Sequence, residues 1–266
     1  MATYSDAVAL YARRPEPVAS TDALTLRRSI EAIGTIHLSE LRAMDIQLNY
    51  TDQRLAKAKP GTVARELRTV RAVLNYAVRM GIADRVCQVR LPRVDDARTR
   101  FITKHERDAL IEAAWTPQLR ALVGFLLYTG ARLGEAIDAK PEDVRDDSVT
   151  FVSCKGAGSR RRHRQVPLHP QLRPLLVPAG GRLLPSPWGT RWSNAEVHRQ
   201  WTDLCDLCRL EDLRLHDCRH FFASSLVAAG VDLLTVCSLT GHASVDMLAR
   251  YTHLAKGHKA EAIATL

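Results

Sequence analysis

The run from Pro60 to Met80 constrains this chain most. Val63, Leu67, Val70, Val73, Leu74, Ala77 and Val78 recur at the spacing that places them along one face of an α-helix. Arg65, Arg68, Arg71 and Arg79 fall on the opposite face. Pro60 suits a first helical turn, where its missing N–H has no partner to lose, and Gly81 supplies a stop. A helix this amphipathic must bury its apolar stripe against other elements. The sequence before it offers only helices, with Leu24, Leu26, Ile30 and Ile33 at helical spacing and Leu41, Met44, Ile46 and Leu48 continuing the pattern. Residues 1–90 therefore read as a helical domain.

Residues 91–100, LPRVDDARTR, are polar and proline-bearing, the composition of a linker. A second domain, 101–266, follows with a different pattern. Thr103, with Glu106 three residues on, caps an amphipathic helix that reaches Ala114, and a buried helix spans Gln118 to Tyr128. Val149–Ser153 and Arg164–Leu168 read as strands. The glycine-bearing basic turn between them, Lys155 to Arg162, makes an antiparallel hairpin of the pair. From Trp192 onward the pattern is helical again. The fold class is mainly α with one small antiparallel β hairpin or sheet, in two domains.

Three short segments carry chemistry. Arg132 and Glu135 follow a break at Gly130; if a helix starts there, their spacing puts both on one face, where the glutamate can orient a guanidinium fork aimed at a phosphate. A surface ion pair would look the same locally. His216 and Arg219 repeat that spacing at the start of another helix. Gly241-His242 is followed nine residues later by Tyr251; the other tyrosine after residue 100, Tyr128, sits in an apolar run that reads as core. Lys155 is the one lysine between Lys140 and Lys256, amid many arginines. Lysine can release a proton as an acid, whereas arginine, with a pKa above about 12, effectively cannot. Cys205 and Cys208 with His216 and His220 imitate a zinc set, but the gap between the pairs is too short for a two-Cys two-His finger. No metal site is expected.

The 38 basic and 29 acidic side chains leave a net charge of +9, which favours a polyanionic partner. The longest apolar run, Ala121 to Tyr128, is far short of the roughly 20 residues a membrane span needs. Met1 to Leu10 lacks an export signal, and six irregularly spaced cysteines look like reduced thiols. A cytoplasmic protein with no membrane partner is expected.

Taken in order, TGARLGEA around Arg132, LRLHDCRHFFASSLVAAG around Arg219 and GHASVDMLARYTHL around Tyr251 resemble the tyrosine recombinases, the family of phage integrases and Xer-type resolvases. The resemblance covers most of the chain. It implies a two-domain DNA clamp, with residues 1–90 as a SAM-like core-binding domain and 101–266 as the catalytic domain. It further implies a site-specific recombinase or integrase that breaks and rejoins DNA through a covalent 3′-phosphotyrosyl intermediate. Tyr251 is then the nucleophile, Arg132 and Arg219 the phosphate clamp, and Glu135 the support of Arg132. His242 assists the clamp, His216 accepts the tyrosine proton or binds phosphate, and Lys155 protonates the departing oxygen. His220 is set aside as a structural neighbour. The turn after Lys155 is longer and richer in arginine than the family's usual one. No ATP, metal or other cofactor is implied.

The implied partner is double-stranded DNA, with Arg65, Arg68, Arg71, Arg160, Arg161 and Arg162 as its contacts. The implied assembly is a homotetramer on paired sites, a monomer or weak dimer without DNA, with room for an accessory DNA-bending factor. The chain starts almost at the core-binding module, so an additional arm-binding domain is not expected. The segment His258–Leu266 would dock on a neighbouring protomer or on its own domain. The alternatives are a type IB topoisomerase-like relaxing enzyme and a DNA-binding regulator that keeps the fold without the chemistry.

Overall fold

The computed structural model describes residues 2–94, 100–153, 162–242 and 244–255. The chain divides into two compact units, Met1–Arg98 and Thr99–Leu266. In the first, α1 (Tyr4–Ala12), α2 (Ser20–Ile33), α3 (Ala43–Ile46), α4 (Asp52–Leu55) and α5 (Pro60–Arg79) surround a core that includes Tyr4, Leu26, Ile33, Tyr50, Leu67, Val70 and Leu74. The apolar face of α5 is buried as its spacing requires, Arg65, Arg68 and Arg71 are exposed, and Gly81 takes a left-handed φ of 74° just past the helix end.

Two details depart from the periodic reading. Leu24 and Ile30 are exposed, and α2 buries Thr25, Leu26, Ser29 and Ile33 instead. Hydroxyls can occupy that face because each is satisfied. Thr25 donates to the Thr21 carbonyl, Ser29 donates to the Leu26 carbonyl at 2.8 Å, and Tyr4 donates to Ser29 at 3.0 Å. Met44 and Leu48 are also exposed. A π-helical turn over Gln47–Thr51 shifts the phase after α3, so Tyr50 and Thr51 face inward in place of Leu48.

One buried carboxylate ties this unit together. Glu66 on α5 accepts two hydrogen bonds from Arg54, at 2.8 and 2.9 Å, one from Arg28 at 3.1 Å and one from Tyr50 at 3.2 Å. Burial alone would raise its pKa, but Arg54, Tyr50 and Arg28 outweigh it and hold the carboxyl below its ordinary range.

The second unit opens with α6 (Lys104–Ala113), capped by Thr103 with Glu106 reaching back to it, and α7 (Pro117–Thr129), capped by Thr116. After α8 (Leu133–Asp138) comes a three-stranded antiparallel sheet of β1 (Val144–Arg145), β2 (Ser148–Ser153) and β3 (Arg162–Pro167), in that order. The sequence pattern shows two of these strands. The third, β1, has only two residues and joins β2 through Asp146 and Asp147, both at positive φ, as a tight hairpin requires. Helices α9 (Asn194–Leu207), α10 (Leu215–Ala228) and α11 (Leu233–Thr240) follow, then a 3₁₀ segment, Val245–Ala255.

The core packs α7 against α6, α10 and the sheet through Leu110, Leu122, Phe125, Phe151 and Val166, and continues into Trp192, Trp201 and Cys218. A smaller cluster of Ala223, Val227, Val236, Leu248 and Tyr251 fastens the 3₁₀ segment to α10 and α11. Cys87, Cys205, Cys208, Cys218 and Cys237 are free thiols. Among the described residues no helix is long and apolar enough to cross a membrane. The segment His258–Leu266 lies outside the described residues.

Candidate active site

Two helix ends build this site. α7 stops at Gly130, whose left-handed φ of 61° closes the last turn with its N–H on the Leu126 carbonyl at 3.1 Å. A β-carbon there would lie 2.5 Å from the Phe222 ring, so side chains are excluded by space as well as by φ. The turn leaves the Gly130 carbonyl facing Arg219 on α10, which donates to it through Nη1 at 2.8 Å. α11 ends the same way at Gly241, φ 69°, and its carbonyl accepts Arg132 Nη2 at 3.2 Å. Each guanidinium is thus anchored on a carbonyl at the C-terminal end of a helix, where the backbone dipoles present partial negative charge.

Arg132 stands in the capping position before α8 with extended backbone, and its own N–H donates to Glu135 Oε2 at 2.8 Å. Its Nη1 donates to Glu135 Oε1 at 2.9 Å. The spacing read from the sequence therefore does bring the pair together. What it does not reveal is a second cation on the same carboxylate. Arg164, on β3, donates Nη1 to Oε1 at 3.0 Å and Nη2 to Oε2 at 2.7 Å, and its Nε donates to the Leu239 carbonyl at 3.0 Å. Its guanidinium lies 4.1 Å from the ring centroid of Phe151, its cross-strand partner on β2. Arg164 is 8% exposed and Glu135 12%. Burial would raise the Glu135 pKa, but Arg164 and Arg132 reverse that and lower it.

Arg219 is 2% exposed, and its Nη2 is buried with no hydrogen-bond partner among the described residues. Burial first, then Arg132 and Arg164, bring its pKa down to about 10, with Glu135 and Tyr251 acting in the opposite sense. It remains a cation at neutral pH. A buried cation with an unused donor is costly unless an anion completes it.

His242, next to Gly241, has Nδ1 2.7 Å from Thr240 Oγ1, and that hydroxyl donates to the Val236 carbonyl at 2.6 Å. Thr240 therefore accepts from Nδ1–H, which leaves Nε2 without a proton in the neutral ring. Burial and then Arg219, Arg132, His220 and His216 push the His242 pKa down to about 4.

His216 opens α10 and stands perpendicular to His220 one turn on, ring centroids 4.7 Å apart. Tyr251 lies in the 3₁₀ segment and is 1% exposed, its ring edge-on to Phe101 at 6.0 Å. Its hydroxyl is hydrogen-bonded to His220 Nδ1, the side chain that the sequence pattern sets aside as a neighbour. Lys155, Arg160 and Arg161 lie outside the described residues; Arg162 opens β3, paired with Ser153.

The arrangement sets guanidinium and imidazole donors beside a phenol, a set that can receive an anion. Residues 100–258 match the phage integrase family. The integrase of Salmonella phage P22 is 27% identical over 228 residues, 77% of this chain and 58% of that protein, so the chain spans less than two thirds of that relative. Tyrosine recombinase XerC of Brucella suis biovar 1 (strain 1330) is 27% identical over 243 residues, 84% of this chain and 76% of that protein. Among solved structures, the Tn1549 transposon integrase in complex with circular intermediate DNA shares the fold, with a TM-score of 0.76 at 14% identity over 94% of this chain and 95% of that one.

Two consequences are measurable. All four tryptophans, Trp115, Trp188, Trp192 and Trp201, lie in the second unit, so tryptophan fluorescence follows its unfolding. Arg164→Met strips Glu135 of a buried partner and should destabilise this unit by about 3–5 kcal/mol in urea titrations; an unchanged midpoint would show the pair to be incidental. His242 binds its proton more weakly folded than unfolded, so stability present above pH 6.5 is lost as pH falls towards 4. Wild type should lose more stability across that window than His242→Asn, and equal losses would contradict the burial of a neutral imidazole.

Proposed function

The chain belongs to the phage integrase family, and from that premise we propose that it is a site-specific DNA recombinase acting through Tyr251. The observation that carries the reading is the buried Arg219, which keeps an unused donor beside Arg132, His242 and Tyr251. A phosphodiester supplies the missing anion. Arg132 and Arg219 hold its non-bridging oxygens, and they bind more strongly still to the five-coordinate transition state, where the charge on those oxygens grows. His242 is neutral in the free protein. A phosphate placed against it favours the protonated ring, which then donates to the same oxygens, and His216 lines the same receptor as a further phosphate ligand.

Tyr251 attacks phosphorus, joins the 3′-phosphate and releases a 5′-hydroxyl, with Lys155 protonating the departing oxygen. The bond energy stays in the protein–DNA link, so a second 5′-hydroxyl reverses the step without ATP or a metal ion. Double-stranded DNA is the substrate, and the Tn1549 relative is described in complex with DNA. Arg65, Arg68 and Arg71 on the exposed side of α5 contact phosphates, joined by Arg160, Arg161 and Arg162. Strand exchange requires two sites, hence a tetramer of this chain on paired DNA, with an accessory bending factor where the site demands one. DNA of this kind is met in the cytoplasm.

A nicked suicide duplex carrying the site mapped from DNA flanking the gene tests the assignment. Wild type should accumulate a covalent adduct on denaturing gels, while Tyr251→Phe binds the duplex and forms none. An adduct that survives in the variant would sink Tyr251 as nucleophile. Supercoiled plasmid with one or two sites separates the rivals, since relaxation without exchange marks a topoisomerase and binding alone marks a silent regulator.

A further inference from the structure

An attacking phenol must lose its proton, and an ordinary phenol with a pKa near 10 holds that proton at neutral pH. The group that receives it must be a base of near-neutral pKa within hydrogen-bond reach. His242 is poorly suited, because Thr240 engages its Nδ1 and four neighbours disfavour its charged form. His220 Nδ1 is hydrogen-bonded to the Tyr251 hydroxyl.

That contact follows from the fold. His220 lies directly after Arg219 on α10, so the residue that clamps phosphate and the residue that touches the phenol share one rigid element. The 3₁₀ segment is fastened to α10 through Val227, Leu248 and Tyr251 itself, which fixes the phenol against that helix. His216 packs edge-to-face on the His220 ring and restricts its orientation. Among the described residues, Tyr251 acts electrostatically on Arg219, and His220, His216, Arg219 and Arg132 all act on His242, so charged groups from α10, from the residue before α8 and from the end of α11 face this corner.

We propose that His220 is a catalytic residue, the proton acceptor for Tyr251, and this rests on the reading of Tyr251 as nucleophile. With the ring's own hydrogen on Nε2, Nδ1 takes the phenolic proton and His220 becomes an imidazolium. The phenolate oxygen forms its bond to phosphorus as the bond from phosphorus to the 5′ oxygen breaks, and that oxygen takes a proton from Lys155. In rejoining, the imidazolium returns its proton to the phenol as the tyrosine departs. His216 then braces the His220 ring and lines the receptor as a phosphate ligand.

His220→Asn tests this in the full-length protein, because the asparagine amide can occupy the place of Nδ1 and hydrogen-bond to the phenol but cannot take a proton. On the nicked suicide duplex, adduct formation should slow by about 100-fold or more with site binding retained. A fluorinated tyrosine at position 251, whose phenol ionises near neutral pH, should restore most of the lost rate, which also shows that the variant folds. Wild-type rates in His220→Asn would overturn the proposal, as would a defect that the fluorinated tyrosine leaves untouched. If the wild-type protein forms no adduct on this substrate, the nucleophile assignment falls and this inference falls with it.

Discussion

Glu135 is the point on which the second unit's site depends. Its two oxygens are shared by Arg132 and Arg164, and its carboxylate is nearly withdrawn from water. Buried ion pairs of this kind add little net stability, since the loss of hydration offsets most of the attraction. What they supply is geometry. Arg164 holds the carboxylate from the sheet, the carboxylate holds Arg132 from the start of α8, and Arg132 reaches the end of α11 at Gly241. Sheet, α8 and α11 therefore meet at one charged junction.

The junction is unbalanced by design of its parts. Three guanidinium groups, those of Arg132, Arg164 and Arg219, surround one carboxylate, and burial, reinforced by Arg219 and Arg132, keeps His242 neutral. A site that carries excess positive charge before its ligand arrives is preorganised: its donors need no rearrangement when negative charge develops on a phosphate. The two left-handed glycines contribute by presenting carbonyls to Arg219 and Arg132, which orient those cations without cancelling them.

Much of this was legible in the sequence wherever the information is local. The stripe of α5, the capping of α6, the breaks at Gly130 and Gly241, and the i,i+3 pairs Arg132–Glu135 and His216–Arg219 are patterns of neighbours along one helix or turn. Arg164 was not legible. It sits in an arginine-rich stretch where nothing local distinguishes it, and its partners lie 29 and 75 residues away. His220 is hidden for the same reason, since its contact with Tyr251 crosses 31 residues. In the first unit, Leu24 and Leu48 are exposed because buried hydroxyls and a π turn alter a phase that apolar counting assumes constant. For Lys155, Arg160 and Arg161 the sequence remains the guide.

The proposed role of this excess positive charge is to neutralise a single phosphate. A duplex whose scissile phosphate is replaced by a methylphosphonate, which removes its negative charge while keeping the phosphorus centre, tests it most directly. With Arg219→Ala, adduct formation by Tyr251 should be lost on the ordinary duplex and regained in large part on the methylphosphonate, because no charge then needs neutralising. Equal loss on both substrates would make Arg219 a structural residue of α10.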